Sequence, residues 1–127
     1  MEQYLIDNNV ISNYFSGAFS EKAMDFLSEV ICETPNLSVI TKIEALSWRN
    51  ADIAKENIVR LFVDFSNVLS LSDMIVDECI AIRRNRKMKT PDAIIAATAI
   101  VYDFTLLTSD ADFNRIPNLR ILNPFNL

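Results

Sequence analysis

Hydrophobic and polar positions along this chain switch between strand-like and helix-like spacing. Tyr4-Leu5-Ile6 is a short apolar run closed by Asp7-Asn8-Asn9, which predicts a buried strand ending in a polar turn. From Ser20 the apolar residues fall at Ala23, Met24, Phe26, Leu27, Val30 and Ile31, one face of a helix that stops before Pro35. Leu37-Ser38-Val39-Ile40 predicts a second strand, and Thr41-Lys42-Ile43-Glu44 has the S/T-x-x-E spacing of a capping box opening the next helix. A longer helical pattern covers roughly residues 51–65, and Val68-Leu69-Ser70-Leu71 predicts a third strand. Ser72-Asp73 starts a helix whose apolar face carries Ile75, Cys79 and Ile82 and whose end runs into Arg83, Arg84, Arg86, Lys87 and Lys89. Thr90-Pro91-Asp92 supplies a cap residue, a proline suited to the first helical position and an acid near the positive end of the helix dipole. The following helix, from Ala93 to about Tyr102, is apolar on nearly every side and belongs deep in the core. A fourth strand spans Phe104 to Thr108 and ends at Ser109-Asp110, and a short fifth runs from Leu119 to Leu122 before Asn123-Pro124. Strands alternating with helices predict an α/β fold in three layers, a mostly parallel central sheet flanked by helices on both faces.

Length and composition narrow this picture. The 127 residues are expected to form a single domain over 1–127 that buries roughly two thirds of its unfolded surface. No run reaches the ~18 apolar residues of a membrane span, and MEQYLIDNN lacks the basic start and long apolar stretch of a signal peptide, so a cytoplasmic protein with no membrane partner is expected. Cys32 and Cys79 form no CxxC and read as two small buried hydrophobes in a reducing compartment. The absence of histidine removes Ser-His-Asp and Cys-His catalysis and imidazole acid-base chemistry, which leaves carboxylates to do any catalytic work. A net charge of -5 disfavours nonspecific adhesion to nucleic acid, yet it is compatible with a nuclease whose metal neutralises an acidic centre.

Asp7, Glu44 and Asp110 follow predicted strands directly or within a few residues, and ligands of open parallel sheets bind outside the carboxyl ends of the strands. Asp92 would join them from a helix start. Like charges ~4 Å apart repel by about 4 kcal/mol at an effective dielectric of 20, a cost that a divalent cation offsets. Each acid also has a local reading that the spacing leaves open. Glu44 fits a capping-box partner of Thr41, Asp92 a dipole-favoured first-turn residue, and Asp7 and Asp110 turn formers.

The segments carrying these acids resemble the motifs of PIN domains. YLIDNNVIS resembles the strand-Asp-x-Asn-hydrophobic opening, LSVITKIEAL the strand-Thr-x-x-Glu segment, TPDAIIAATAI the Pro-Asp-Ala-x-Ile-Ala-Ala helix, and LLTSDADF the fourth motif. They come in the family's order over essentially the whole chain, and length and order are most similar to the VapC-like toxins of toxin-antitoxin pairs. The resemblance implies a PIN-like fold and a metal-dependent endoribonuclease that uses Mg²⁺ or Mn²⁺. It implies hydrolysis of RNA by water activated at the metal, leaving a 5′-phosphate and a 3′-hydroxyl. It also implies inhibition by a cognate antitoxin, and a homodimer.

Carried over by residue, the resemblance makes Asp7, Glu44, Asp92 and Asp110 the catalytic and metal-binding acids and adds Asp112 as a further metal ligand. Asn8 stands where the family commonly has Thr or Ser. Asn9 and Thr108 match polar positions expected to orient carboxylates by hydrogen bonds, although turn and strand-end bonding explains each equally well. Arg83, Arg84, Arg86, Lys87 and Lys89, just before Asp92, are candidates to grip substrate phosphates; the same cations would also complement a helix C-terminus. Trp48, four residues after Glu44 on one helix, is expected in the core or a dimer interface, with base stacking or antitoxin contact as alternatives. Rival readings are a structure-specific processing nuclease without a toxin role, a PIN domain that binds without cutting, and a receiver-like signalling module. The last would use Ser72-Asp73 as phosphoacceptor, but Asn123-Pro124 supplies no lysine after the fifth strand.

Overall fold

The computed structural model describes residues 2–127. Along them run β1 (Tyr4–Ile6), α1 (Asn8–Phe15), α2 (Glu21–Cys32), β2 (Asn36–Ser38), α3 (Val39–Ser47), α4 (Ile53–Phe65), β3 (Asn67–Leu69), α5 (Asp73–Asn85), α6 (Thr90–Tyr102), β4 (Thr105–Leu107) and β5 (Ile121–Leu122), with single 3-10 turns at Ala111–Phe113 and Pro124–Asn126. The strands form one sheet in the order β3-β2-β1-β4-β5 with every pairing parallel. Leu5 lies opposite Leu106 and Ile6 opposite Leu107.

Successive strand residues point to opposite faces, and this sorts the core into two halves. Leu5, Leu69 and Leu106 pack with Ile75, Cys79 and Ile82 of α5 and the alanine-rich face of α6. Ile6, Leu37 and Leu107 pack on the other side with Val10 and Ile11 of α1, Ala23 and Leu27 of α2, Ala45 of α3 and Phe62 and Val63 of α4. The result is the expected helix-sheet-helix sandwich, with a sheet that is wholly parallel. From β1 the chain builds outward through β2 and β3, then returns to add β4 and β5 on the other side. The order therefore reverses between β1 and β4, and a crevice opens at their carboxyl ends.

Several local expectations hold. Ser20 and Ser72 cap α2 and α5, their hydroxyls accepting from the backbone of Ala23 at 3.2 Å and Ile75 at 3.3 Å. Others are corrected. Asn8 and Asn9 begin helix α1 rather than a turn, because Asp7 caps it and Val10 and Ile11 give it an apolar face. The second strand ends at Ser38, whose hydroxyl accepts from Ile40 N–H at 3.1 Å, so α3 starts before Thr41 and the Thr41–Glu44 capping box does not form. Packing of Thr41 and Ala45 against the body of the protein outweighs the strand preference of Val39 and Ile40. The third strand is Asn67–Leu69, two residues earlier at its end than expected. The long helix begins at Ile53, where Asp52 supplies the cap the residue pattern left unplaced. Thr90 is the first residue of α6 instead of its cap; Lys89 holds the cap position without a side-chain bond, and Pro91 tolerates the helix start. Cys79 is buried, but Cys32 at the end of α2 is exposed, against the expectation of two buried thiols. Trp48 is 42% exposed where the chain leaves α3 in an extended conformation, so it is not a core residue. No helix among the described residues is long and apolar enough to cross a membrane.

Candidate metal centre

Asp7 leaves β1 at the sheet's switch point. Its backbone N–H donates to Leu107 O at 3.0 Å, which ties the strand end to β4, and its side chain caps α1 by accepting from Asn8 N–H at 2.8 Å. The other carboxylate oxygen accepts from Asn9 Nδ2 at 2.9 Å and from the Thr108 hydroxyl at 2.8 Å. Thr108 Oγ1 in turn accepts from Asn9 Nδ2 at 3.2 Å and from Asp110 N–H at 3.1 Å, while Asn9 Oδ1 accepts from the N–H and hydroxyl of Ser109 at 3.1 and 3.0 Å. One hydroxyl donor with two lone pairs, and one amide with two donors and two lone pairs, are thereby fully used. This saturated lattice joins the ends of β1 and β4 and fixes the orientation of a carboxylate that is only 6% exposed.

Around it stand the remaining acids. Asp110 opens the 3-10 turn that follows β4, its Oδ1 accepting from Asp112 N–H at 2.9 Å. Asp92 lies in the first turn of α6. Carboxylate oxygens of Asp92, Asp110 and Asp112 all lie within 4.8 Å of one another. Glu44 reaches toward the group from α3, close enough for Asp7 and Asp92 to act on its ionisation.

The electrostatics are those of an uncompensated anionic site. Burial raises the Asp7 pKa, the Thr108 and Asn8 hydrogen bonds oppose this, and the charges of Asp92 and Asp110 raise it further. Burial, then Asp7 and Asp92, raise Glu44. Burial, then Asp110 and Asp112, raise Asp92 against the pull of Lys89. The ion pair found among the described residues, Arg120 with Asp103 at 2.7 Å, lies at the opposite end of α6. Carboxylate oxygens converging without a cationic side chain between them suit a hard divalent cation such as Mg²⁺ or Mn²⁺, which takes oxygen ligands and retains waters.

The structure brings Asp92, Asp110 and Asp112 together, leaves Asp7 and Glu44 outside that group but near enough for the acids' charges to act on one another, and hydrogen-bonds Asn9 and Thr108 to Asp7. Ser109, which completes the lattice, was not singled out by the residue pattern, because nothing in local spacing relates it to Asn9. The basic run divides. Arg83 donates to Met88 O at 3.1 Å, and Arg86 donates to Arg115 O at 2.9 Å and Asn114 O at 3.2 Å. Arg84, Lys87 and Lys89 are exposed.

The sequence model of the PIN domain matches residues 4–119. Comparison with functionally curated proteins finds no match. Among solved structures, the chain is similar to a toxin-antitoxin complex from Klebsiella pneumoniae, at 28% identity and TM-score 0.73 over 96% of this chain and 98% of that one. FitAcB from Neisseria gonorrhoeae superposes with TM-score 0.80 at 23% identity, covering 98% of this chain and 100% of the other. DNA-bound VapBC from Salmonella typhimurium gives TM-score 0.79 at 20% identity over 98% and 99%. The last two similarities establish a shared fold.

Proposed function

Because this chain belongs to the PIN-domain family, we propose that it is a metal-dependent endoribonuclease and the toxin of a toxin-antitoxin pair, acting on RNA in the cytoplasm. The observation that carries this reading is the convergence of Asp92, Asp110 and Asp112 near the switch point, with Asp7 held beside them by a saturated hydrogen-bond lattice and its ionisation disfavoured by Asp92 and Asp110. Such an arrangement costs folding stability and returns it only when a metal is bound.

In this reading Asp92, Asp110 and Asp112 hold Mg²⁺ or Mn²⁺, with Asp7 presenting its remaining lone pair and Glu44 closing the site. The ion would supply charge neutralisation at the phosphoryl group and a lowered pKa for a nearby water. Glu44, whose proton affinity is raised, takes a proton from the attacking water. The water oxygen bonds to phosphorus opposite the departing O3′, the P–O3′ bond breaks, O3′ takes a proton from solvent water, and the products are a 5′-phosphate and a 3′-hydroxyl. No covalent enzyme intermediate is required. Exposed Arg84, Lys87 and Lys89 make the phosphate contacts proposed for the basic run, since Arg83 and Arg86 direct donors to carbonyls of their own chain.

Two apolar faces support the proposed partners. Ile58, Leu61 and Phe65 of α4 are 48%, 68% and 56% exposed and follow helical spacing, a surface suited to an antitoxin segment that lays an apolar stripe into it. On α5, Val76 and Ile80, one turn apart, are 36% and 52% exposed, with Asp73 and Asp77 toward one end and Arg83 and Arg84 toward the other. Antiparallel pairing of this helix with a second copy would set acid against base twice, as a twofold interface requires, and supports a homodimer.

The test is cleavage by purified, partner-free protein across varied single-stranded and structured RNAs, in EDTA and in Mg²⁺ or Mn²⁺. Cleavage with metal, lost in EDTA and in Glu44→Gln, is expected. Cleavage independent of metal, or none on any RNA, would refute the reading.

A further inference from the structure

We propose that Arg86 is a positioning residue for the metal-binding turn, holding Asp110 and Asp112 in register with Asp92. This rests on reading that acid cluster as a metal site. Arg86 caps the end of α5, its backbone N–H donating to Ile82 O at 3.1 Å, and lies in the connection that leads to Asp92. Its guanidinium spans the carbonyls of Asn114 and Arg115, where the chain leaves the turn that Asp110 opened.

That exit needs external support. Arg115 has φ 67°, a left-handed conformation disfavoured for a residue with a Cβ. Phe113 is fully buried and Ile116 is 4% exposed, so two side chains plug the segment into the core next to α5 and α6. Asp112, beside Phe113, is exposed, and its backbone N–H donates to Asp110 Oδ1. The planar fork of Arg86 restrains this backbone from the same inter-helix connection that delivers Asp92. One side chain therefore sets the spacing between two of the three sides of the acid cluster. A lysine gathers its three donors on one nitrogen and lacks the planar fork whose two nitrogens each take one of these carbonyls.

The experiment compares wild type, Arg86→Ala and Arg86→Lys as full chains by calorimetric Mn²⁺ titration, metal-free melting, RNA cleavage against Mn²⁺ concentration, and binding of a short RNA oligonucleotide in EDTA. Arg86→Ala is expected to weaken Mn²⁺ binding about tenfold or more, the usual scale for residues that orient ligands. Arg86→Lys should lose nearly as much, which keeps the test intact if the alanine variant folds poorly. The metal-free melt should move little, and turnover at saturating Mn²⁺ should approach that of wild type. A wild-type Mn²⁺ affinity in both variants overturns the proposal. Weakened oligonucleotide binding with unchanged Mn²⁺ affinity also overturns it and makes Arg86 a phosphate contact. Wild-type protein that binds no Mn²⁺ would overturn the metal-site reading itself, and this proposal with it.

Discussion

Asp92→Asn and Asp7→Asn are expected to shift the stability of the metal-free protein in opposite directions. Asp92 shares its space with Asp110 and Asp112, oxygens within 4.8 Å. Unit charges at that distance repel by about 1 kcal/mol in a water-like dielectric and by about 3.5 kcal/mol at an effective value of 20. Because the Asp92 side of the cluster is open to solvent, the lower figure applies, giving about 2 kcal/mol for the two neighbours. Neutralising Asp92 also gives up about 0.3 to 1 kcal/mol of favourable placement at the start of α6 and a screened attraction to Lys89 of similar size. A net gain of about 0 to 1.4 kcal/mol remains, a Tm unchanged or raised by up to roughly 5 °C for a chain of this length. Asp7 differs because three donors aim at it. An asparagine there must turn an NH₂ toward a donor, and a buried N–H left without an acceptor costs about 1 to 3 kcal/mol, so its metal-free form should melt lower. Both variants should lose most of the metal-induced shift, which in wild type reaches about 2.7 kcal/mol at a hundredfold excess over Kd. Thermal melts in EDTA and in excess Mg²⁺ decide the matter. Asp92→Asn melting below wild type without metal, or keeping the full metal shift, would refute the reasoning.

The raised acids also set a pH dependence. Asp7, Glu44 and Asp92 bind protons more tightly folded than unfolded, so their contribution to metal-free stability is fully present below the ordinary carboxylate pKa values and is lost as pH climbs from there through the raised folded ones. Melts across that range should show this slope, flattened in Asp92→Asn; a wild-type slope of the opposite sign would count against a strained acidic cluster. Thr41 Oγ1 is buried without a hydrogen-bond partner among the described residues, so Thr41→Val should stabilise by about 1 kcal/mol. Destabilisation in a thermal melt would instead restore a capping role. On α5, Val76→Glu combined with Ile80→Glu should convert a dimer to a monomer by light scattering with the melting temperature largely kept. A monomeric wild type at all micromolar concentrations would remove the proposed twofold contact.

The layers of this fold were legible because they rest on periodicity. Each strand face and most helix faces read directly from apolar spacing, and Ser20 and Ser72 sit where a cap belongs. The misplaced starts of α3 and α6 have different causes. At α3 two capping side chains competed, Ser38 and Thr41, and Ser38 took the cap; at α6 the cap position falls on Lys89, whose ammonium has no acceptor to offer, so Thr90 enters the helix and no capping side chain marks the start. The acids themselves were legible, since strand ends in a parallel sheet deliver side chains to one crevice. Of their supports, Asn9 and Thr108 were legible as polar positions of the resemblance and both donate to Asp7; Ser109 and the hold of Arg86 were not, because the Asn9–Ser109 and Arg86–Arg115 bonds join segments far apart in sequence.

The capping correction bears most directly on Glu44. The residue pattern left it two roles, a reciprocal cap for Thr41 or a member of the acidic centre. With Ser38 supplying the cap, Glu44 lies well inside α3, beyond the turn where a negative charge gains from the helix dipole. Its ionised form is disfavoured there by burial and by Asp7 and Asp92. A glutamate that neither caps nor pairs, and that carries its charge toward other acids, lowers the stability of the protein at neutral pH. Glu44→Gln should therefore raise the metal-free melting temperature slightly while reducing Mg²⁺-dependent cleavage by orders of magnitude. A variant that cleaves at the wild-type rate would leave the cost of this charge without a function to explain it.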